Sequence, residues 1–149
     1  MPATSLRILL IDDNRQGLVA RRTVLEQAGY KVTVASNGPD GVDLFVSQPF
    51  DVVVTDYRMP EMSGAQVIRK LRQHNPKIPV ALLSGYVEAL GLTEQSTGAD
   101  VVLSKGPGEV QELLRVVARL GKRRVPAKPP GTARTIKSLR SRAGKQKSG

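Results

Sequence analysis

Residues 6–121 predict a doubly wound α/β domain, a parallel sheet with helices on both faces. Three observations carry this reading. Five short apolar runs alternate with five segments of helical periodicity. The central run, Val52-Val53-Val54-Thr55, is continuous rather than alternating, as in a strand buried on both faces. Four runs also end on a reactive polar group: Ile8–Ile11 on Asp12-Asp13, the central run on Asp56, Val80–Leu83 on Ser84, and Val101–Ser104 on Lys105. Open α/β sheets place their ligands beyond these carboxyl ends.

The elements follow in order. Residues 1–5 read as a flexible lead-in. Leu6–Ile11 is the first strand. Asp13 or Asn14 caps a helix from about Asn14 to Ala28, with Leu18, Val19, Leu25 and Ala28 inward and Gly29 after its end. Lys31–Ala35 is the second strand, alternating at Val32 and Val34. Asn37-Gly38-Pro39 turns the chain into a helix ending near Ser47, with Val42, Phe45 and Val46 inward. Asp51–Thr55 is the third strand. Ser63 caps a helix over Gly64–Gln73 with Val67, Ile68 and Leu71 inward. Ile78–Leu83 is the fourth strand. Tyr86–Ser96 reads as one helix despite Gly91 within it. Val101–Ser104 is the fifth strand. The last helix spans about Gly108–Leu120, with Val110, Leu113, Leu114, Val117 and Leu120 inward and Gly121 closing it.

The 149-residue chain carries a formal charge of +10, distributed unevenly. Residues 1–121 hold thirteen Lys/Arg against thirteen Asp/Glu, whereas residues 122–149 hold ten Lys/Arg and no acid. Basicity therefore bears on the last 28 residues alone. That segment is rich in Lys, Arg, Pro, Ser and Gly, has few large aliphatics, and is expected to be disordered. The absence of cysteine excludes disulfides and thiolate metal sites. No apolar run approaches the roughly 20 residues of a membrane span, and no secretory leader is evident, so a cytoplasmic location is expected.

Taken singly, Asp13 reads equally as a helix cap, whereas a lone Ser84 reads first as a turn residue and a lone Lys105 first as a solvated cation. Asp56 is different, because a carboxylate ending the most buried strand costs free energy unless it is paired. Crowding Asp12, Asp13 and Asp56 into one cleft raises their repulsion unless a cation joins them. An all-oxygen donor set favours a hard ion such as Mg²⁺.

The pattern Ile11-Asp12-Asp13-Asn14, Thr55-Asp56-Tyr57-Arg58-Met59-Pro60, Leu83-Ser84-Gly85-Tyr86 and Gly98-Ala99-Asp100 with Ser104-Lys105 resembles the response-regulator receiver domain of two-component signalling. The resemblance covers about residues 6–121 and implies the flavodoxin-like strand order 2-1-3-4-5. It implies a stand-alone, chemotaxis-regulator-like receiver whose Asp56 takes a phosphoryl group from a histidine kinase or histidine phosphotransfer protein. It implies Mg²⁺ held by Asp13 and Asp56 directly, by Asp12 through water, and by the Arg58 backbone carbonyl. Lys105 would neutralise the transferring group, and Ser84 would donate its hydroxyl to it. Such a module catalyses its own phosphorylation and dephosphorylation without being an ordinary enzyme, and signals by phosphorylation-dependent binding to a downstream protein. His74, the one histidine, lies just past a helix end and is not a donor.

The chain departs from the family pattern at three places. Gly106 separates Lys105 from Pro107, where the family joins Lys directly to a cis Pro; either Lys105 points differently or Gly106 adopts a conformation that restores its aim. Val102 stands where the family carries a switch aromatic. No output domain follows the receiver within these 149 residues. Arg58 and Tyr86, each two residues beyond a site residue, line the mouth and are expected to restrict the attacking water. The tail at 122–149 has three readings: a solvated segment, a weak polyanion binder acting by counterion release, or a short helix over Ala133–Ala143 that docks on a partner. Two alternative functions follow, a phosphorylation-regulated nucleic-acid binder through the tail and a phosphate-independent pseudo-receiver docking module.

Overall fold

A computed structural model describes residues 5–124. The five strands are β1 (Arg7–Ile11), β2 (Lys31–Ala35), β3 (Val52–Asp56), β4 (Val80–Ser84) and β5 (Val101–Ser104). They form one parallel sheet in the order β2-β1-β3-β4-β5, as expected. β3 and β4 are buried along their whole length, which is why their sequences do not alternate.

The helices are α1 (Arg15–Gln27), α2 (Gly38–Ser47), α3 (Gly64–His74), α4 (Val87–Leu90), α5 (Glu94–Thr97) and α6 (Glu109–Arg124). The pleat sends alternate strand residues into two cores. Ile8, Leu10, Val52, Val54, Ala81 and Leu83 pack with Leu18 and Leu25 of α1 and with Leu113, Val117 and Leu120 of α6. Leu9, Ile11, Val53, Val80 and Leu82 pack with Val67, Ile68 and Leu71 of α3, and Val42 and Phe45 of α2 pack against this second core. Each fully buried Leu or Ile contributes about 1.5–3 kcal/mol, so both helical layers are held firmly against the sheet.

Several expectations need correction. The single helix over Tyr86–Ser96 is two short helices: Gly91 adopts a left-handed conformation that ends α4, and Thr93 starts α5 with a reciprocal cap to Ser96. Gly121 does not close the last helix, which runs on to Arg124. Gly121 is buried there against the Leu6 side chain, with which a Cβ would collide. Val19, Val46 and Val110, expected inward, are 65%, 54% and 42% exposed. They sit at the margins of their apolar stripes, and Val116 takes an inward place that was not expected. Ala28 is exposed at the C-cap of α1.

Lys122–Arg124 belong to α6, and the rest of the basic segment, with its expected disorder, lies outside the described residues. Among the described residues no helix is long and apolar enough to cross a membrane.

Candidate functional site

The register aligns the strand ends. Ile11 lies beside Thr55, Asp56 beside Leu83, and Ser84 beside Ser104. The residues that end β3 and β4 and those that follow β1 and β5 therefore open on one edge of the sheet. Asp12 is 2% exposed, and its Oδ1 accepts the Asn14 backbone N–H at 2.9 Å. Asn14 is the cap of α1, accepting from the Gly17 N–H, so Asp13 is not the cap and its carboxylate stays exposed at the cleft. Carboxylate oxygens of Asp12, Asp13 and Asp56 lie within 4.8 Å of one another. Three carboxylates with no sulfur or imidazole in the group suit a hard dication that keeps part of its water.

Asp56 is buried at the end of β3, and its Oδ1 accepts the Tyr57 N–H at 3.0 Å. Its carboxyl is pushed up from 3.8 to about 6. Burial is the largest cause and the Asp12 carboxylate the second, while Lys105 pulls in the opposite direction. The loop beyond Asp56 folds back tightly, with the Gly64 N–H donating to the Tyr57 carbonyl and the Met62 N–H to the Pro60 carbonyl, both at 2.7 Å. A Cβ on Gly64 would collide with the Asp56 carbonyl and lie 2.9 Å from the Tyr57 Cα, so only glycine lets α3 start this close to the acid.

Lys105 reaches the cleft. Its Nζ lies 3.1 Å from Asp56 Oδ1 and 3.6 Å from Asp12 Oδ2. The second of the two conformations expected for the Lys105 loop is therefore the one adopted. Gly106 takes φ 145° on an all-trans backbone, a conformation that side-chain-bearing residues rarely adopt, and the ammonium points at the acids.

Ser84 is 1% exposed, and its Oγ accepts the Tyr86 N–H at 2.9 Å. Tyr86 is 46% exposed and packs under Arg58, whose guanidinium carbon lies 4.7 Å from the ring centroid. These two residues, expected singly at the mouth, form a stacked pair. Val102 is half-buried against the second core, and its N–H donates to Glu94. Asp100 is structural, accepting the Val80 N–H and pairing with Arg72.

Two residues of the cleft were missed. Arg21 is 8% exposed, donates to Asp12 Oδ2 at 2.8 Å, and donates to Glu109 Oε2 at 2.6 Å. A signal for Arg21 existed: it falls between Leu18 and Leu25 on the inward face of α1, where a charged residue requires a buried partner.

Comparison with known proteins agrees with this geometry. The family model described as the response regulator receiver domain matches residues 8–118. The chain is 31% identical over 137 residues to the uncharacterized transcriptional regulatory protein YkoG of Bacillus subtilis, covering 89% of this chain and 59% of that protein. It is 34% identical over 125 residues to the response regulator MprA of Mycolicibacterium vanbaalenii, covering 81% and 52%. The chain thus spans little more than half the length of these two relatives. Among solved structures, the receiver domain of the Francisella response regulator 1452 superposes with TM-score 0.73 at 31% identity, over 80% of this chain and 98% of that one. The response regulator TrrA of Thermotoga maritima, solved in complex with Mg²⁺ and BeF, superposes with TM-score 0.70 at 28% identity, over 77% and 98%. Matching strand order, acidic cleft and family model together show that this chain belongs to the response regulator receiver domains, the signalling modules of two-component systems.

Proposed function

We propose that Asp56 is the phosphoacceptor, taking a phosphoryl group from the phosphohistidine of a histidine kinase or phosphotransfer protein. The observation that carries this is the Lys105 ammonium 3.1 Å from Asp56 Oδ1, inside a cluster of three acids. One Asp56 oxygen forms the new O–P bond as the donor's N–P bond breaks, and the imidazole leaves with the electron pair. Asp13 and Asp56 would hold Mg²⁺, with Asp12 acting through water and the Arg58 carbonyl as a further ligand. When bound, the metal supplies positive charge to the phosphoryl oxygens. Lys105 supplies the protein's own share of that charge and lowers the carboxyl of Asp56 toward its ionised form.

Ser84 is the switch in this reading. Its Oγ, which accepts the Tyr86 N–H, would move to donate its O–H to a phosphoryl oxygen, and the Tyr86–Arg58 stack shifts with it. α4 begins immediately afterwards and buries no residue, so its position costs little to change. The face formed by α4, α5, β5 and α6 then presents a different surface to a downstream protein. The Arg58–Tyr86 stack also limits water access to the acyl phosphate and lengthens its lifetime. Self-catalysed phosphorylation from small donors belongs to the same reading. A phosphate-independent docking module rested on the altered Lys105 loop and on Val102 in place of the switch aromatic; the Lys105 contact with Asp56 speaks against the first ground, and the second stands. Polyanion binding by the tail is a matter of residues outside the described region.

The experiment is a beryllofluoride titration with Mg²⁺, followed by amide NMR. Shifts at Ser84, Tyr86, Lys105 and α4 that vanish in Asp56→Asn support the reading. A spectrum unchanged by beryllofluoride contradicts it.

A further inference from the structure

We propose that Arg21 and Glu109 form a buried tie that aims Lys105, so that both are positioning residues of the phosphoryl-transfer site. The proposal rests on the phosphoacceptor reading above. Beyond Lys105, whose N–H makes the last ladder bond to the Ser84 carbonyl at 3.0 Å, the chain runs Gly106-Pro107-Gly108. Gly106 and Gly108 take φ of 145° and 82°. Glycines of this kind have broad backbone freedom, so the loop does not by itself hold Lys105 on the acids.

Glu109 supplies the restraint. Its Oε1 accepts the Gly106 N–H at 3.4 Å, and its own N–H donates to the Gly106 carbonyl at 3.0 Å. Its other oxygen, Oε2, is held by Arg21 Nε at 2.6 Å, while Arg21 NH1 grips Asp12 Oδ2 at 2.8 Å. The side chains of Asp12, Arg21 and Glu109 are 2%, 9% and 14% exposed, so solvent does little to weaken the connection. One guanidinium thus links the first-strand acid to the loop that carries the lysine, and Lys105 Nζ returns to within 3.6 Å of the same Asp12 oxygen. The planar fork of Arg suits this two-carboxylate role, which a lysine would not fill.

Gly17 belongs to the device. It lies one helical turn before Arg21, and a Cβ there would sit 2.6 Å from Arg21 NH1 and 3.3 Å from Asp12 Oδ2. A glycine in the first turns of a helix lowers helix stability relative to alanine. Here it leaves the space that the guanidinium occupies.

The test is the initial rate of phosphoryl gain from acetyl phosphate at saturating Mg²⁺. The full chain is compared as wild type, Gly17→Ala and Glu109→Gln, each with Lys105 present and with Lys105→Ala. Gly17→Ala favours the helix, so a merely structural role predicts no slowing. The tie predicts that either substitution slows the reaction by about tenfold when Lys105 is present, the scale of a small misplacement. In the Lys105→Ala background neither slows it further. Unchanged rates with Lys105 present, or equal slowing in both backgrounds, overturn the proposal. If the wild type gains no phosphoryl group from acetyl phosphate, the acceptor reading is tested separately with a phosphorylated histidine phosphotransfer protein. The tie is then judged by amide NMR: displaced Lys105 and Gly106 signals in both variants support it, and unmoved signals overturn it.

Discussion

Lys105 Nζ lies 3.1 Å from Asp56 Oδ1 although a glycine, not a proline, follows the lysine. Gly106 takes φ 145° beside it, and the proposed role of the buried Arg21–Glu109 pair is to hold the loop in this place. Lys105→Ala is therefore expected to slow phosphoryl gain by roughly a hundredfold, the usual cost of removing a preorganised charge from a transfer site. Stopped-flow or quench kinetics with a small phosphodonor measure it. A rate within a factor of about two of wild type would mean that the lysine does not act on the transferring group.

The acid itself gives a pH prediction. The Asp56 carboxyl is raised to about 6 in the folded chain, against 3.8 ordinarily. Between those values the folded state holds a proton that the unfolded state has lost. The contribution of this group to stability is therefore present below about pH 4 and lost as pH rises to about 6. The loss amounts to at most about 3 kcal/mol on the linkage scale. Thermal melts in a metal chelator should show it, Asp56→Asn should flatten it, and added Mg²⁺ should reverse it. A wild-type profile parallel to that of Asp56→Asn from pH 4 to 7 would contradict the assignment.

Arg58 stacks on Tyr86 with the guanidinium carbon 4.7 Å from the ring centroid, at the rim of the cleft. The pair Arg58→Ala plus Tyr86→Ala should shorten the lifetime of the phosphorylated form several-fold while leaving the melting temperature nearly unchanged, since both residues lie at the surface outside the two cores. Decay of the phosphorylated mass with time checks this. An unchanged decay rate removes the water-shielding role.

Gly64 lets α3 begin against the backbone of Asp56 and Tyr57. Gly64→Ala should cost about 1–3 kcal/mol in urea unfolding, as overpacking against backbone that cannot yield. It should also weaken Mg²⁺ binding, because the Asp56 loop must shift. An unaltered urea midpoint would show that the loop accommodates the methyl group.

The sheet was legible because its signals are local. A continuous β-branched run such as Val52–Val54 reads as a doubly buried strand without knowledge of its neighbours. The placing of Asp12, Asp13, Asp56, Ser84 and Lys105 along one edge of the sheet was legible because strand ends converge in this topology. The division of α4 from α5 depended on the left-handed Gly91 and the Thr93 cap, two short-range features that a periodicity reading averages away. Gly121 reads locally as a helix stop, but within α6 it stands against Leu6, more than a hundred residues distant in the chain, where a Cβ would collide. Glu109 was illegible for the same reason: a first-turn glutamate is ordinary at a helix start, and only the fold brings Arg21 to it.

The most direct measurement is intact-mass analysis after incubation with Mg²⁺ and acetyl phosphate, comparing wild type with Asp56→Asn. A Mg²⁺-dependent gain of one phosphoryl group in the wild type, abolished in Asp56→Asn, is the predicted result. A wild type that gains nothing from acetyl phosphate or from phosphorylated histidine phosphotransfer proteins, or an Asp56→Asn chain that gains as much as the wild type, would contradict the assignment of Asp56 as phosphoacceptor.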